Sequence, residues 1–309
     1  MNREKRIRLG TRGSVLALTQ ARMVCDRLKA NAPEIDIDIR IIKTSGDKIT
    51  DRPLREMGGK ALFTKELEQG LFRGEIDLAV HSMKDVEVPL PHGLIIPCFL
   101  EREDPRDVLI SRTGKKLREL PEGARVGTCS SRRTAQILSL RPDLTIVSLR
   151  GNVDTRLRKL AAGNYDAMVL AYAGLKRLRR TGIITEVLDI DIMIPAVAQG
   201  VIGIEVREED EALRKTLNMF SHRETEKTVH IEHQFLRGFG GDCTTPIAGL
   251  AQINTKADEE GRMSLAAMVA LPDGGKILKR SLEAHFEDLS LKAYALGQEF
   301  KAWYTTNMM

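Results

Sequence analysis

The chain has 309 residues, of which 42% are hydrophobic and 29% charged, and its formal net charge is +5 at pH 7. This composition is typical of a globular protein with a sizeable core and excludes a disordered chain. Aromatic residues make up only 4% of the chain, and no zinc-finger or RNP-type motif is present. The basic excess therefore favours a small polyanionic ligand over nucleic acid.

The start of the chain, its apolar runs and its cysteines favour a cytoplasmic protein. The start, MNREKRIRLG, is basic but lacks the apolar core of a secretory signal. No apolar run approaches the ~20 residues of a membrane helix. The four cysteines, at positions 25, 98, 129 and 243, show no CxxC spacing, which indicates reduced thiols. We expect a cytoplasmic protein with no membrane partner.

The first predicted elements alternate between strands and helices. RIRLGT is typical of a strand, and Ser14 of the N-cap of a helix that runs to about Lys29. EIDIDIRII predicts a strand with one polar face, and a helix at about 64–73 and the buried strand IDLAVH follow. This alternation predicts an α/β sheet.

A weak internal repeat indicates that this arrangement occurs twice. LGTRGSVLALTQA, at 9–21, is echoed by VGTCSSRRTAQIL, at 126–138, and GEIDLAV, at 74–80, by GNYDAMVL, at 163–170. Two such units facing each other would place both Gly-Thr turns at a shared cleft. EREDPRD, at 101–107, and IPAVAQGVIGIEV, at 194–206, are expected to be hinges.

The C-terminal part is expected to form a third, smaller α+β domain. Helices at about 208–219 and 222–238 precede strand-like runs near 247–253, 263–271 and 276–283 and a helix that ends at about Trp303. We expect domain 1 to comprise residues 1–100 plus 200–219, domain 2 residues 105–195 and domain 3 residues 222–309. Domain 3 carries the loop FLRGFGGDCTTPIAGLA, in which Cys243 is accessible and has a role as a nucleophile or as a covalent attachment point.

The motif HSMKD ends the strand IDLAV, and ligands bind beyond the carboxyl ends of parallel strands. Lys84 would offer a cation to anionic groups, and Asp85 a carboxylate to a developing positive charge. A solvated Lys-Asp pair is the alternative. No second histidine lies at ligand spacing from His81, so no metal site is expected.

Hydroxyls and arginines cluster at two later strand-to-helix turns, GTCSSRR and SLRGNVDTRLRK, and Arg12 lies at the same kind of turn. Helix-start N–H groups and planar guanidinium groups bind carboxylate and phosphate oxygens. Because no GxxxxGK[ST] or GxGxxG loop is present, a ligand with several carboxylates is the expected anion. A solvated basic face is the alternative. The polar residues of the two turns are Thr128, Ser130, Ser131, Arg132, Arg133, Arg150, Asn152 and Arg156.

Taken together, these stretches resemble the porphobilinogen deaminase family. The matching motifs run in family order from residue 9 to residue 250. They are LGTRGSVLALTQA, GGKALFTKELE, DLAVHSMKDVEV, VGTCSSRRTAQ, SLRGNVDTRL, LAYAGLKRL, PAVAQGVIGIE and GGDCTTPIAG.

The resemblance implies an α/β fold with two periplasmic-binding-protein-like lobes plus a smaller C-terminal α+β domain. It implies a monomeric transferase that joins four porphobilinogen molecules head to tail with release of ammonia, giving hydroxymethylbilane for haem synthesis. It also implies a dipyrromethane cofactor held by a thioether, here to Cys243, with no metal and no nucleic-acid partner.

The resemblance further implies a role for each candidate residue. Asp85 would be the catalytic residue, which stabilises the cationic azafulvene left by ammonia and helps protonate the leaving amine. Phe63 and Gln199 would line the cleft or the hinge. The implied cofactor-binding residues are Cys243, Lys84, Ser130, Arg132, Arg133 and Asp85. The implied substrate-binding residues are Arg12, Ser14, Ser82, Thr128, Arg150, Asn152, Arg156 and Arg177.

Some positions depart from the family motifs, and two other function classes stay open. Thr11, Cys129 and Ser131 are departures, and Asp242 places a negative charge beside the proposed tether thiol. Cys129, among arginines, is the competing reactive thiol. A non-catalytic two-lobed anion-binding protein would have no need of Cys243, and a basic nucleic-acid binder is disfavoured by the few aromatic residues.

Overall fold

The structure is a computed structural model that describes residues 5–48, 62–240, 245–254 and 261–308. The described residues form two compact units. The first contains the described residues up to 103 together with 201–226, and the second contains 104–200 and the described residues from 227 onward. No helix in these ranges is long and apolar enough to cross a membrane.

Strands and helices alternate along the described ranges, and the predicted elements are confirmed with bounds that differ by a few residues. The strands are β1 (Lys5–Thr11), β2 (Ile35–Ile41), β3 (Leu78–Ser82), β4 (Leu94–Phe99), β5 (Asp107–Ser111), β6 (Arg125–Gly127), β7 (Thr145–Val147), β8 (Ala167–Ala171), β9 (Glu186–Val187), β10 (Ile202–Arg207), β11 (Ile247–Ile253), β12 (Arg262–Ala270) and β13 (Ile277–His285). The helices are α1 (Val15–Asn31), α2 (Ser45–Lys48), α3 (Lys65–Phe72), α4 (Ser131–Leu140), α5 (Val153–Ala161), α6 (Tyr172–Arg177), α7 (Glu211–Asn218), α8 (Arg223–Phe239) and α9 (Phe286–Met308).

The first unit is built on a mixed five-stranded sheet in the order β2-β1-β3-β10-β4. Strands β1, β2 and β3 are parallel, whereas β10 runs antiparallel to both of its neighbours, β3 and β4. The boundary between the two units falls between Gly200 and Val201, inside the segment 194–206 that was expected to be a hinge. After this boundary, Ile202, Ile204 and Val206 of β10 are buried in the core of this sheet. Their regular alternation suits a strand with one face in the core.

The second unit repeats this arrangement and adds a smaller sheet. Its larger sheet has the order β7-β6-β8-β5-β9, in which β6, β7 and β8 are parallel and β5 is antiparallel to β8 and β9. The smaller sheet is the antiparallel meander β11-β12-β13, against which α9 packs. The predicted class, α/β with two sheets and a smaller α+β part, is confirmed.

The internal repeat is also confirmed, and its signature is an Arg–Asp interaction that we call the strand clamp. In the first unit, Asp77 Oδ2 accepts a hydrogen bond from Arg8 N at 2.8 Å, and Asp77 N donates to Arg8 O at 2.8 Å. In the second unit, Asp166 Oδ2 accepts from Arg125 N at 2.8 Å, and Asp166 N donates to Arg125 O at 2.9 Å. The clamps fix the register between β1 and β3 in the first unit and between β6 and β8 in the second.

Candidate active site

The turn between β1 and α1 carries the first candidate residues. Ser14 is the N-cap of α1, as predicted, and its hydroxyl accepts a hydrogen bond from Ala17 N at 3.2 Å. Arg12 lies two residues earlier, with its guanidinium carbon 4.2 Å from the ring centroid of Phe63. This cation–π contact holds the Arg12 side chain against the ring.

The end of β3 presents Ser82, Lys84 and Asp85. A 3-10 turn, Met83–Asp85, follows the strand directly. Met83 is buried, and its N–H donates to Val201 O at 3.0 Å, while Val86 N donates to Met83 O at 3.1 Å. Because the turn is held at both ends, Lys84 and Asp85 keep defined positions beyond the strand, and both side chains stay partly exposed.

A buried histidine–carboxylate pair lies behind this turn. His81 Nε2 is 2.9 Å from Glu205 Oε2, and the two side chains are 4% and 1% exposed. The pair joins β3 to β10. Burial also raises the pKa of the nearby Glu68 carboxyl. Within the ranges that the structure describes, no group of three or more His, Cys, Asp and Glu side chains could hold a metal.

In the second unit, two helix starts carry the predicted hydroxyl and amide groups. Ser130 is the N-cap of α4, and Asn152, the N-cap of α5, accepts a hydrogen bond from Thr155 N at 2.9 Å. Gly151, beside Asn152, has φ of 111°, and a Cβ there would lie 2.8 Å from Thr155 Cγ2. Glycine is therefore required at this turn, which places Arg150 next to the start of α5.

Arg132 and Arg133 have an internal partner that the sequence did not indicate. The Asp107 side chain is fully buried, and its two oxygens lie 2.7 Å from Arg132 Nη2 and 2.6 Å from Arg133 Nη2. Burial opposes ionisation of Asp107, but the two guanidinium charges outweigh burial and hold its pKa far below the usual range. The alternative of a solvated basic face is therefore wrong for Arg132 and Arg133, which are buried. Their contact with a cofactor stays a prediction.

The remaining candidate side chains make bonds within the second unit. Arg156 Nε donates to Gly151 O at 2.8 Å, and Arg177 Nη2 donates to Gly200 O at 2.5 Å. Gln199 is buried, and its Nε2 donates to Asp107 Oδ1 at 3.0 Å. Gln199 therefore adds a third side-chain donor to Asp107, beside Arg132 and Arg133.

Three of the four cysteines lie in the described ranges. Cys25 and Cys98 are buried and free, as predicted, and burial raises the pKa of Cys98 to about 12. Cys129 Sγ donates to Leu149 O at 3.0 Å, while the neighbouring arginines bond Asp107. Cys243 lies outside the described residues.

Two polar residues that bond candidate site residues were not identified from the sequence. Asp107 stands at the start of the apolar run DVLI, and an acid beside an otherwise buried strand was the available signal. Gln20 lies on the buried face of α1, between Ala17 and Val24, and donates to Ser82 Oγ at 2.8 Å. A polar side chain on an apolar helix face was the signal here.

The fold and these side chains define a class of α/β proteins with cations, hydroxyls and helix N-termini at the strand ends of two similar sheets. Comparison with known families gives the particular member of this class. The profile described as "Porphobilinogen deaminase, dipyromethane cofactor binding domain" matches residues 7–215, and that of the "Porphobilinogen deaminase, C-terminal domain" matches residues 227–301. The chain belongs to the porphobilinogen deaminase family.

Individual relatives agree with this assignment. The chain is 48% identical to the porphobilinogen deaminase of Pelotomaculum thermopropionicum over 96% of its own length and 93% of the relative. It is 44% identical to the porphobilinogen deaminase of Geobacter sulfurreducens over 96% of its own length and 92% of the relative. It is 49% identical to the chloroplastic porphobilinogen deaminase of Oryza sativa, over 96% and 83%. The predicted family, the enzyme of tetrapyrrole synthesis and the dipyrromethane cofactor are thereby confirmed.

Solved structures match only in outline. The match to the periplasmic VFT2 domain of Bordetella pertussis BvgS covers 70% of this chain and 86% of the VFT2 chain, with 15% identity and a TM-score of 0.43. A TRAP periplasmic solute binding protein from Desulfovibrio salexigens covers 72% and 74%, with 12% identity and a TM-score of 0.44. We infer nothing about ligands from these matches.

Proposed function

We propose that this protein is a hydroxymethylbilane synthase, which joins four porphobilinogen molecules head to tail and releases one ammonia at each addition. The observation that carries the proposal is the placement of Asp85. It lies on the 3-10 turn after β3, beside Lys84, within the part of the chain that matches the dipyrromethane domain. A carboxylate there lies next to a cation that attracts acidic substrates.

Asp85 is proposed as the catalytic residue. Its carboxylate accepts a hydrogen bond from the pyrrole N–H of porphobilinogen. When the C–N bond of the protonated aminomethyl group breaks, its electron pair leaves with ammonia and a positive charge spreads over the ring. The carboxylate stabilises this charge. A carbon–carbon bond then forms between this methylene and the α-carbon of the preceding ring, whose hydrogen leaves as a proton that Asp85 accepts.

The donors of the candidate site fit a dipyrromethane, whose acidic side chains need cations and N–H or O–H donors. Ser130 and Asn152 cap helices at strand ends, and Gly151 gives the turn that places Arg150 beside them. When bound, the dipyrromethane would supply the free α-carbon to which the first ring is joined. The residues proposed to hold it are Cys243, Lys84, Ser130, Arg132, Arg133 and Asp85.

Porphobilinogen is itself a dicarboxylate, so its binding needs a second set of donors. Guanidinium groups bind carboxylates through two parallel hydrogen bonds, and hydroxyl and amide groups add neutral ones. The residues proposed to bind it are Arg12, Ser14, Ser82, Thr128, Arg150, Asn152, Arg156 and Arg177.

The proposed domain organisation and location extend the sequence expectations. We propose domain 1 as residues 1–100 plus 200–219, domain 2 as 105–195 and domain 3 as 222–309. The position of β10 in the first sheet supports including 200–219 in domain 1. We also propose a cytoplasmic location, which the free thiols of Cys25 and Cys98 support. A monomer is proposed from the family resemblance alone.

Replacing Asp85 tests the catalytic role. Asp85→Ala should lower turnover of porphobilinogen by about 10²–10⁴ while the melting temperature stays within a few degrees of the wild type. Asp26→Ala, at an exposed acid on α1 of the same unit, is the matched control and should turn over normally. Wild-type turnover in folded Asp85→Ala would remove Asp85 from the mechanism.

Replacing Cys243 tests the cofactor attachment. Cys243→Ser should give folded protein whose intact mass lacks the two pyrrole units, because a serine hydroxyl is a far weaker nucleophile than a thiolate at neutral pH. Cys129→Ser is the control and should keep the adduct. An adduct that survives the first change and disappears with the second would assign the attachment to Cys129.

A further inference from the structure

A buried glutamine lies directly behind one of the proposed substrate-binding hydroxyls. Gln20 is on α1 and is only 3% exposed. Its Nε2 donates a hydrogen bond of 2.8 Å to Ser82 Oγ, at the end of β3. Ser82 is partly exposed and immediately precedes the 3-10 turn that carries Asp85. The bond therefore connects the interior of the first unit to the catalytic segment.

The direction of this bond determines what the Ser82 hydroxyl can do. A serine hydroxyl has one hydrogen to donate and two lone pairs that accept. Because an amide N–H already donates to the oxygen, the hydroxyl hydrogen must point towards a different acceptor. An ionised carboxylate is an acceptor only. A Ser82 hydroxyl held in this way is prepared to donate to a ligand carboxylate.

We propose that Gln20 is a positioning residue, which orients the Ser82 O–H bond so that it donates to a carboxylate of porphobilinogen. The proposal rests on the proposed function, in which Ser82 binds substrate. Gln20 itself touches no reacting atom. Its effect is to remove the rotational freedom of the hydroxyl before the substrate arrives, so that the bond forms at a smaller entropic cost.

The second unit has an equivalent glutamine, Gln136, which bonds main-chain atoms instead of a hydroxyl. Gln136 occupies the same position after the N-cap of α4 as Gln20 does after the N-cap of α1, and it is equally buried. Its amide bonds the main chain of Ile194, accepting from N at 2.8 Å and donating to O at 3.1 Å. The residue that corresponds to Ser82 is Ala171, which has no hydroxyl. A glutamine directed at a hydroxyl is thus a feature of the unit that carries the catalytic acid.

Two replacements of Gln20 separate the hydrogen bond from the shape of the side chain. Gln20→Met has a similar length and cannot donate. Gln20→Glu keeps the shape, but its carboxylate would accept the Ser82 hydrogen and turn the hydroxyl away from the substrate. Ser82→Ala removes the hydroxyl. Thr19→Val is the matched control, because Thr19 lies on the same helix and its hydroxyl donates to Val15 O of that helix at 2.8 Å.

The measurements are KM and kcat for porphobilinogen, the dipyrromethane content from intact mass, and the melting temperature. Gln20→Met should raise KM about three- to tenfold and Gln20→Glu at least as much, with kcat within about twofold, because the bond that is lost is one between two neutral groups. In the Ser82→Ala background, which itself raises KM, Gln20→Met should add less than about twofold, because the two residues act as a unit. Thr19→Val should leave KM unchanged.

Several results would overturn the proposal while leaving the proposed function standing. If the double variant raised KM by the product of the two single effects of Gln20→Met and Ser82→Ala, the two residues would act independently. Wild-type KM in Gln20→Glu would show that the amide oxygen, not the nitrogen, faces Ser82. A lowered melting temperature with unchanged KM in both Gln20 variants would reduce Gln20 to a structural role. Absence of porphobilinogen turnover in the wild type would instead overturn both.

Discussion

Asp107→Asn should destabilise the second unit strongly. The aspartate has no solvent exposure and accepts hydrogen bonds from Arg132 and Arg133, whose side chains are 5% and 9% exposed. The neutral amide would leave two buried guanidinium groups without a counter-charge. Its NH2 group would also face guanidinium donors, so that at least one bond is lost rather than exchanged.

The size of the effect follows from this burial. Removing one partner of a buried ion pair costs roughly 3–5 kcal/mol of unfolding free energy, a large part of the 5–15 kcal/mol of a typical domain. A drop in melting temperature on the order of 10 °C should accompany it. The control is Asp36→Asn, because Asp36 is 53% exposed and 3.5 Å from Arg6. Exposed pairs of this kind contribute at most about 1 kcal/mol.

The pH dependence provides a second check. Because the folded-state pKa of Asp107 lies below its unfolded value, its charge stabilises the fold fully above the unfolded pKa, roughly 3.9. This contribution is lost as the pH falls towards the folded pKa. The difference in unfolding free energy between wild type and Asp107→Asn, measured by urea titration, should be constant from pH 5 to 8 and shrink below pH 4. A difference under about 1 kcal/mol at pH 7, or one that grows on acidification, would refute the reasoning.

Three further predictions concern single positions. Arg150→Leu should raise KM for porphobilinogen or lower dipyrromethane content by about tenfold with little change in melting temperature, whereas a solvated arginine would leave all three unchanged. Gly151→Ala should lower the unfolding free energy by about 1–3 kcal/mol, because its φ is 111° and its Cβ would meet Thr155; an unchanged thermal transition would contradict this. Cys98, whose pKa burial raises to about 12, should resist iodoacetamide at pH 8 until urea is added, and peptide mapping that finds rapid native labelling would disagree.

The elements of the fold were predictable because their signals are local. Ser14 was identifiable as a cap residue from its type and position, and the structure places it at the N-terminus of α1. Asn152 was predicted only to lie at a strand-to-helix turn, and it is the N-cap of α5. The place of β10 was not predictable in the same way. Ile202 pairs with Ser82, more than a hundred residues earlier, and short-range periodicity carries no information about such a partner.

In the candidate site, too, features with a local sequence signal were predictable, and features that depend on a distant partner were not. Lys84 and Asp85 could be placed at a strand end because the apolar run before them defines β3. The environment of Arg132 could not be predicted, since its partner Asp107 belongs to β5 and comes near only when the sheet and α4 have packed. An arginine at a helix start has the same sequence signal whether its guanidinium group meets a ligand or a buried acid.

The strand clamp recurs in both units, but the carboxylate that follows β3 in the first unit has no counterpart after β8 in the second. The residues that correspond to Ser82 through Asp85 begin at Ala171 and read Ala-Tyr-Ala-Gly, without an acid. With Asp85 as the catalytic residue, each molecule has a single centre for bond formation, so four rings have to be added in succession. The number of rings in the product is then not set by the number of catalytic groups, because the same carboxylate has to act once for each ring that is added.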